Sequence, residues 1–169
     1  GERTNPWMQE SSNKIIQQGE IVSFDTDMVG PYGYCADISR TFVCGNDFNN
    51  NQKELYSMSL EQINHNSNLI KADMSFKEFT EKSWKLPEEY YGNRYSVMVH
   101  GIGLCDEWPS IRYPTDGGDK SGRFLKNMTI TVESYIGKVG GKEGVKLEQQ
   151  YLVGENGLEL MSHHPLEDI

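Results

Sequence analysis

Two acidic side chains fall two residues apart in a strand-like segment near the start of the chain. In Ile-Val-Ser-Phe-Asp-Thr-Asp-Met-Val, at 21–29, polar and apolar residues alternate, so Asp25 and Asp27 share one face. Residues two apart on a strand are separated by about 6 to 7 Å, and like charges at that distance are costly to bury. Divalent cations offset that cost because carboxylate oxygens are the ligands that hard cations prefer. The spacing therefore favours a metal site, with a solvated strand edge as the alternative.

Four more potential ligands stand in apolar, strand-like segments further along the chain. Asp37 follows a Gly- and Tyr-rich turn, and His100 ends the run Val-Met-Val-His. Glu133 interrupts a β-branched run, and Glu148 interrupts a second apolar run. Singly, such a His is more often a hydrogen-bonded core residue and such a Glu more often faces solvent. Together, carboxylates and an imidazole at strand centres and ends favour one convergent site for divalent cations.

The elements that must position these side chains follow from periodicity and turn signals. The turn at 30–33 predicts a hairpin between strands over 21–29 and 34–43. Helical spacing predicts one helix over about 48–70 and a second that begins after an N-cap at Ser75 and ends before Pro87. Further strands are expected at 95–100, 127–136, 145–153 and 158–161, with a loop over 110–127. This order predicts an α+β domain with a curved antiparallel sheet and flanking helices.

Composition limits the class of protein and of partner. A length of 169 residues suits one domain, and the net charge of -9 argues against nucleic-acid binding. A mean hydropathy of -0.64 and the lack of a long apolar run argue against a membrane partner. Three cysteines without a C-x-x-C pair predict a reducing, cytoplasmic location. The first residues carry neither an initiator Met nor a signal peptide, which predicts a piece of a longer polypeptide or a processed product.

Three of these segments resemble the pita-bread metallopeptidase superfamily, which includes aminopeptidase P, prolidase and methionine aminopeptidase. The similar segments are Asp27 with the Asp-Ile-Ser-Arg-Thr-Phe run from Asp37, the His-Gly-Ile-Gly-Leu run from His100, and Glu133 followed by Gly-Val-Lys-Leu-Glu ending at Glu148. They occur in the superfamily's order from about residue 10 to 165. The resemblance implies the pita-bread fold, with 1–169 as a C-terminal catalytic domain that lacks its N-terminal domain. It also implies that these five residues bind two metal ions, with Asp37 and Glu148 bridging.

The chain departs from the peptidases at one position. They carry a second His in a His-Glu-x-Pro run, whereas this chain has Cys-Asp-Glu-Trp-Pro, with Asp106 nearly in its place. An anionic Asp cannot donate a hydrogen bond to an oxyanion, which argues against peptide hydrolysis. The extra acid Asp25 and the Gly-Leu-Cys-Asp run resemble DddP-type dimethylsulfoniopropionate lyases. That resemblance implies Asp25 as a further metal ligand, Asp106 as the base, and iron as the metal, with zinc and manganese open.

A small zwitterionic substrate with a sulfonium cation requires an aromatic face. Tyr95 lies at an odd offset from His100, which places the two on opposite strand faces unless a bulge intervenes, but the resemblance favours Tyr95 near the substrate. Trp108 is the other local aromatic, and a packing role is its alternative. The expected function is a metal-dependent lyase that releases dimethyl sulfide and acrylate; the alternatives are an aminopeptidase or prolidase, and a non-catalytic binding module, against which the clustered acids argue. The resemblance implies a homodimer of the full-length protein.

Overall fold

The computed structural model describes residues 1–8, 10–45, 47–118 and 120–166, so the last three residues of the predicted domain lie outside it. Two short strand pairs precede three helices, and a larger sheet follows. The strands are β1 (Ile21–Asp25), β2 (Met28–Val29), β3 (Cys35–Ala36), β4 (Ser39–Val43), β5 (Val97–Gly101), β6 (Ser110–Arg112), β7 (Thr129–Ile136), β8 (Val145–Val153) and β9 (Leu158–Leu160). The helices are α1 (Asn50–Leu69), α2 (Phe76–Lys82) and α3 (Glu88–Tyr91).

The larger sheet is antiparallel and has the strand order β6-β5-β7-β8-β9. Its central strands pair so that Glu133 of β7 lies directly opposite Glu148 of β8. The next residue on β7, Ser134, points to the other face, where its hydroxyl bonds Ser59 of α1 at 3.0 Å and Gln62 of α1 at 2.6 Å. The sheet therefore has one face packed on α1 and one face that carries the acids.

The two predicted helices are confirmed, and their first turns explain where they begin. α1 starts with a capping box, in which the Asn49 side chain accepts from the backbone of Gln52 and the Gln52 side chain accepts from the backbone of Asn49. Ser75 caps α2 by accepting from the Glu78 amide at 3.1 Å. Helix α3 and strand β6 were missed, because four and three residues are too few for a periodic pattern. In the described ranges, no helix has the length and apolarity needed to cross a membrane.

The prediction of two unbroken hairpin strands was wrong. β1 ends at Asp25, Asp27 has a φ of 32°, and Asp37 lies between β3 and β4. The backbone amide of Asp27 donates to the Asp37 carboxylate at 3.4 Å, and the Asp37 amide donates to the Gln150 side chain at 3.3 Å. These acids leave the ladder because their backbones bond side chains rather than the opposite strand. The break turns the hairpin so that its three carboxylates converge.

Strand β4 attaches the hairpin to the larger sheet by side-chain hydrogen bonds. The Thr41 hydroxyl donates to the Lys146 carbonyl at 2.7 Å and accepts from the Lys146 amide at 3.1 Å. The buried guanidinium of Arg40 donates to the Glu148 carbonyl at 2.6 Å. These bonds fix the hairpin over β8, and they set the distance between Asp37 and Glu148.

Candidate metal centre

The imidazole of His100 lies at the centre of a buried group of carboxylates. Its Nε2 atom is 3.1 Å from Glu148 Oε1, 3.7 Å from Asp37 Oδ2 and 3.9 Å from Glu133 Oε1. All four side chains are at most 3% exposed. One of these four side chains comes from each of the hairpin, β5, β7 and β8. Residues far apart in the sequence therefore meet, as expected.

Two overlapping sets of ligand atoms have the spacing of metal sites. One atom each from Asp37, His100 and Glu148 lie within 4.8 Å of one another, and so do atoms of Asp25, Asp27 and Asp37. Asp37 belongs to both sets, which is the arrangement expected of a bridging ligand. With Glu133 against His100, all six residues predicted as metal ligands therefore lie in one cluster.

A buried oxygen without a partner indicates that this cluster is built for a cation. Among the described residues, Glu133 Oε1 is buried and has no hydrogen-bond partner. A buried unsatisfied polar atom costs about 1 to 3 kcal/mol, and more when it is charged. Carboxylate oxygens with one imidazole nitrogen form a donor set that suits borderline divalent cations. The residues present therefore fit a dinuclear metal centre.

A buried lysine that the sequence analysis left without a role also belongs to the cluster. The Lys146 ammonium is 2.7 Å from Glu133 Oε2, 3.4 Å from Glu148 Oε2 and 3.8 Å from Asp25 Oδ2. The Ser39 hydroxyl accepts from the ammonium at 3.1 Å, and its single proton faces an Asp25 oxygen at 2.6 Å and a Glu148 oxygen at 3.0 Å. Each glutamate thus gives Oε2 to lysine and keeps Oε1 toward His100. The signal for Lys146 was its position two residues before Glu148 on one strand, which places both on one face.

The protonation of the cluster follows from burial and from charge crowding. Burial, followed by the charge of Glu148, raises the pKa of Asp37 to about 8. Burial likewise raises the pKa of Glu133 to about 8, against the opposing effect of Lys146. Without metal, these two acids therefore hold protons that a bound cation would displace.

The pKa values of Glu148 and His100 shift in opposite directions, the first down and the second up. Burial alone would raise the pKa of Glu148, but Lys146 and then the hydrogen bond from His100 outweigh it and hold this pKa at about 2. Burial alone would lower the pKa of His100, but the hydrogen bond to Glu148 and the charge of Glu133 raise it to about 10. Without metal, His100 and Glu148 therefore form an ion pair at neutral pH.

Asp106 lies beside the cluster but outside both ligand sets. Its Oδ1 atom is 4.0 Å from Nδ1 of His100, on the side of the ring away from the carboxylates at Nε2. The same oxygen accepts from the Glu107 amide at 3.0 Å, and the side chain is 29% exposed. A carboxylate that is both free of the ligand sets and accessible can accept a proton from a bound molecule.

The two predicted substrate-binding aromatics occupy different positions. The ring of Tyr95 lies over the Lys146 ammonium, 5.0 Å from its centroid, and the register between β5 and β6 shifts between Val97 and Val99. Tyr95 thus borders the cluster despite its odd offset from His100. Trp108 is 62% exposed and lines a separate cavity of 630 Å³ with Glu107, Ser110 and Arg112.

Comparison with known proteins agrees with this geometry. Residues 1–155 match the model of Metallopeptidase family M24. The chain is 40% identical over 99% of its length to the protein named dimethylsulfoniopropionate lyase DddP of Roseovarius nubinhibens, of which it covers 38%. It is 33% identical over 90% of its length to the Xaa-Pro dipeptidase of Pyrococcus furiosus, of which it covers 42%. The chain thus spans about two fifths of these curated relatives.

Solved structures give the same fold. The prolidase from Pyrococcus furiosus superimposes with a TM-score of 0.78 at 30% identity, over 95% of this chain and 46% of that one. A dipeptidase from Pyrococcus horikoshii superimposes with a TM-score of 0.83 at 22% identity, over 99% of this chain and 46% of that one, which shows the fold alone. The α+β architecture is the pita-bread fold, as the resemblance implied. With the family match over most of its length and the carboxylate and imidazole cluster in place, the chain belongs to Metallopeptidase family M24.

Proposed function

We propose that the protein containing this chain is a metal-dependent lyase that cleaves dimethylsulfoniopropionate into dimethyl sulfide and acrylate. The observation that carries the proposal is Asp106, a carboxylate outside both ligand sets that lies 4.0 Å from His100. Two lyases named for this substrate, at 40% and 37% identity over 99% of the chain, support it. A free carboxylate suits proton abstraction, whereas peptide hydrolysis requires a hydrogen-bond donor for an oxyanion.

The metal ligands in this proposal are the six acidic and imidazole side chains of the cluster: Asp25, Asp27, Asp37, His100, Glu133 and Glu148. When bound, two divalent ions supply a Lewis acid that binds and orients the substrate carboxylate. Iron is the proposed metal, with zinc and manganese as the alternatives, because the donor set accepts each of them.

The residues of the chain perform the proton transfer. Asp106 accepts the proton from the carbon next to the substrate carboxylate, and a carbon–carbon double bond forms. The carbon–sulfur bond breaks, and its electron pair leaves with the sulfur as neutral dimethyl sulfide. Tyr95, beside the cluster, and Trp108, in the cavity that Glu107 also lines, border the substrate in this proposal.

The matched test is Asp106→Asn in the full-length, metal-loaded protein. We expect dimethyl sulfide release to fall by about 10²- to 10⁴-fold, the usual contribution of a general base, because an amide cannot take the proton. Metal content should stay unchanged, since Asp106 lies outside both ligand sets. Headspace gas chromatography and elemental analysis measure the two quantities. Asp73→Asn, at the turn between α1 and α2, is the control and should release dimethyl sulfide at the unaltered rate.

Three results would overturn parts of this proposal. Metal loss in Asp106→Asn would make Asp106 a ligand rather than the base. Full activity in that variant would remove it from the reaction. Hydrolysis of Xaa-Pro dipeptides without dimethyl sulfide release would identify a prolidase, the function named for relatives at 30 to 33% identity. The cytoplasmic location and the homodimer stay predictions.

A further inference from the structure

A second cavity opens directly beside the hairpin acids. Its volume is 380 Å³, and Asp25 and Asp27 form part of its wall. The remaining lining residues come from the hairpin and from the segment before it: Trp7, Met8, Glu10, Ser11, Ser23 and Phe24. We call it the Trp7 cavity. It combines acidic, aromatic and thioether groups, and it adjoins one of the two metal-ligand sets.

Trp7 is held in place before any ligand arrives. The Tyr135 hydroxyl, on β7, donates to the Thr4 carbonyl at 2.6 Å and lies 2.9 Å from the Asn5 side-chain oxygen. The Asn5 amide donates to the carbonyls of Lys138 and Gly141, each at 2.8 Å. The indole then packs against the Tyr135 ring, with 6.2 Å between centroids. A preorganised aromatic wall costs little entropy on binding.

The other two candidate aromatics are less suited to a substrate cation. The face of Tyr95 already lies over the Lys146 ammonium. Trp108 lines the other cavity, where the positive charge of Arg112 offsets the negative charge of Glu107. Trp7, by contrast, shares its cavity with Glu10, a carboxylate outside both metal-ligand sets whose charge attracts a cation.

A methylated sulfonium has no hydrogen-bond donor, so a protein recognises it by aromatic faces and by nearby negative charge. We propose that the Trp7 cavity binds the dimethylsulfonium end of the substrate, and that Trp7 determines selectivity for methylated cations over neutral groups of the same shape. The inference rests on the proposed function and names the recognition site for its leaving group. The substrate carboxylate then lies toward His100 and Asp37, and the sulfur lies toward Trp7.

The test separates recognition from catalysis by using two ligands that do not eliminate. One is the trimethylammonium analogue of the substrate, and the other is its neutral tert-butyl isostere, which has the same shape and the same carboxylate. Both are titrated calorimetrically into the full-length, metal-loaded protein. We expect the ammonium ligand to bind about tenfold more tightly, which corresponds to ~1.4 kcal/mol.

Variants locate the group responsible for that preference. Trp7→Leu should reduce the tenfold ratio to nearly one while the neutral isostere binds as before, because an aliphatic side chain offers no negative ring face. Trp7→Phe, which keeps an aromatic ring and the packing on Tyr135, should retain an intermediate ratio. Trp84→Leu, near the end of α2, is the matched control for losing an indole and should keep the full ratio.

The outcomes distinguish this inference from the proposed function. An unchanged ratio in Trp7→Leu, or a ratio lost in Trp108→Leu instead, overturns the inference and leaves the lyase proposal standing. Equal binding of the two ligands by the unaltered protein also overturns it. If Trp7→Leu does not fold, Trp7→Phe decides instead. An affinity ratio in Trp7→Phe as large as that of the unaltered protein would then overturn the inference. Absence of dimethyl sulfide release, together with a Trp7-dependent ratio, would contradict the lyase and leave the cation site in place.

Discussion

At the scale of single residues, Lys146 explains how so many acids are buried in one place. Its ammonium bonds Glu133 and lies near Glu148 and Asp25, so it offsets part of a charge that burial would otherwise make very costly. Burial lowers the pKa of Lys146, but Glu133 and Glu148 outweigh it and hold this pKa well above its usual value. One fixed cation cannot neutralise all the acids, so protons or metal ions must supply the remaining positive charge.

The metal-free protein should become less stable as the pH rises from about 5 to 8. Folding raises the pKa of Asp37 from 3.8 to about 8, of Glu133 from 4.5 to about 8 and of His100 from 6.5 to about 10. Each group holds a proton in the folded state that the unfolded chain releases, so its contribution is full below the unfolded pKa and is lost as the pH rises through the folded one. The midpoint of thermal unfolding in chelator, measured across this range, tests the sign.

Saturating metal provides the control for that measurement. Metal binding displaces the protons, so the affinity of the protein for metal increases with pH. The fall of the unfolding midpoint with rising pH should therefore weaken or reverse. Glu148 has the opposite sign, because its folded pKa of about 2 lies below its unfolded value of 4.5. Its contribution is lost only as the pH falls below about 4.5. An unfolding midpoint that rises from pH 5 to 8 without metal would contradict the protonation described for this cluster.

At the scale of elements, the contact between strand β5 and the following loop sets the position of the proposed base. The Gly101 amide donates to the Pro109 carbonyl at 2.9 Å, and a Cβ at Gly101 would clash with the Trp108 carbonyl oxygen. Real Cβ atoms do not come this close to another atom. The clash is with a backbone atom, which cannot rotate away as the end of a flexible side chain could. Glycine at this position therefore lets the loop that carries Asp106 close against His100.

Gly101→Ala should displace this loop and lower dimethyl sulfide release. A shift of about 1 Å in a reacting group costs roughly a hundredfold in rate, and overpacking costs about 1 to 3 kcal/mol of stability. The release rate, the metal content and the free energy of unfolding are measured on the same samples. Gly140→Ala, in the turn between β7 and β8, is the control: its φ is 75° and a Cβ there meets nothing within 4 Å. Gly140→Ala should lower the free energy of unfolding but leave the rate of dimethyl sulfide release unchanged. Equal release rates in the two variants would contradict the role of Gly101.

At the scale of the whole molecule, the cluster connects segments that are far apart in the chain. The clustered side chains, from Asp25 to Glu148, come from the hairpin, β5, β7 and β8, and only the tertiary fold brings them within a few ångströms. A metal ion bound to several of these segments stabilises the folded state, because the unfolded chain does not hold the site together.

Metal at about 100 times its dissociation constant should therefore stabilise the fold by about 2.7 kcal/mol. For a chain of this size that corresponds to a rise of roughly 5 to 10 °C in the unfolding midpoint. Glu148→Gln should abolish the rise because it removes a ligand from the buried set, whereas Asp106→Asn should keep it. Scanning calorimetry with and without chelator measures both. A rise that survives in Glu148→Gln but disappears in Asp106→Asn would contradict the assignment of ligands.

The fold class, the two longer helices and the identity of the side chains that cluster could be predicted from the sequence. α1 and α2 were predictable because the capping signals at Asn49 and Ser75 and the helical spacing are local. Asp25, Asp27 and Asp37 were predictable because acids within apolar strands are rare without a charged partner or a cation. Their order along the chain, with His100 and the two glutamates, then matched a known family.

How those side chains meet depends on contacts between segments that are distant in the sequence. The break of the hairpin at Asp27 and Asp37 depends on hydrogen bonds to other segments, which local alternation does not contain. The bond from Lys146 to Glu133 depends on the β7–β8 register, and the approach of Tyr95 depends on an irregularity in β5. The Trp7 cavity joins two segments whose contact follows from hydrogen bonds to Tyr135, more than 120 residues away in sequence. Pairing and register between distant segments are set by packing, and therefore the site's geometry appears only in the folded chain.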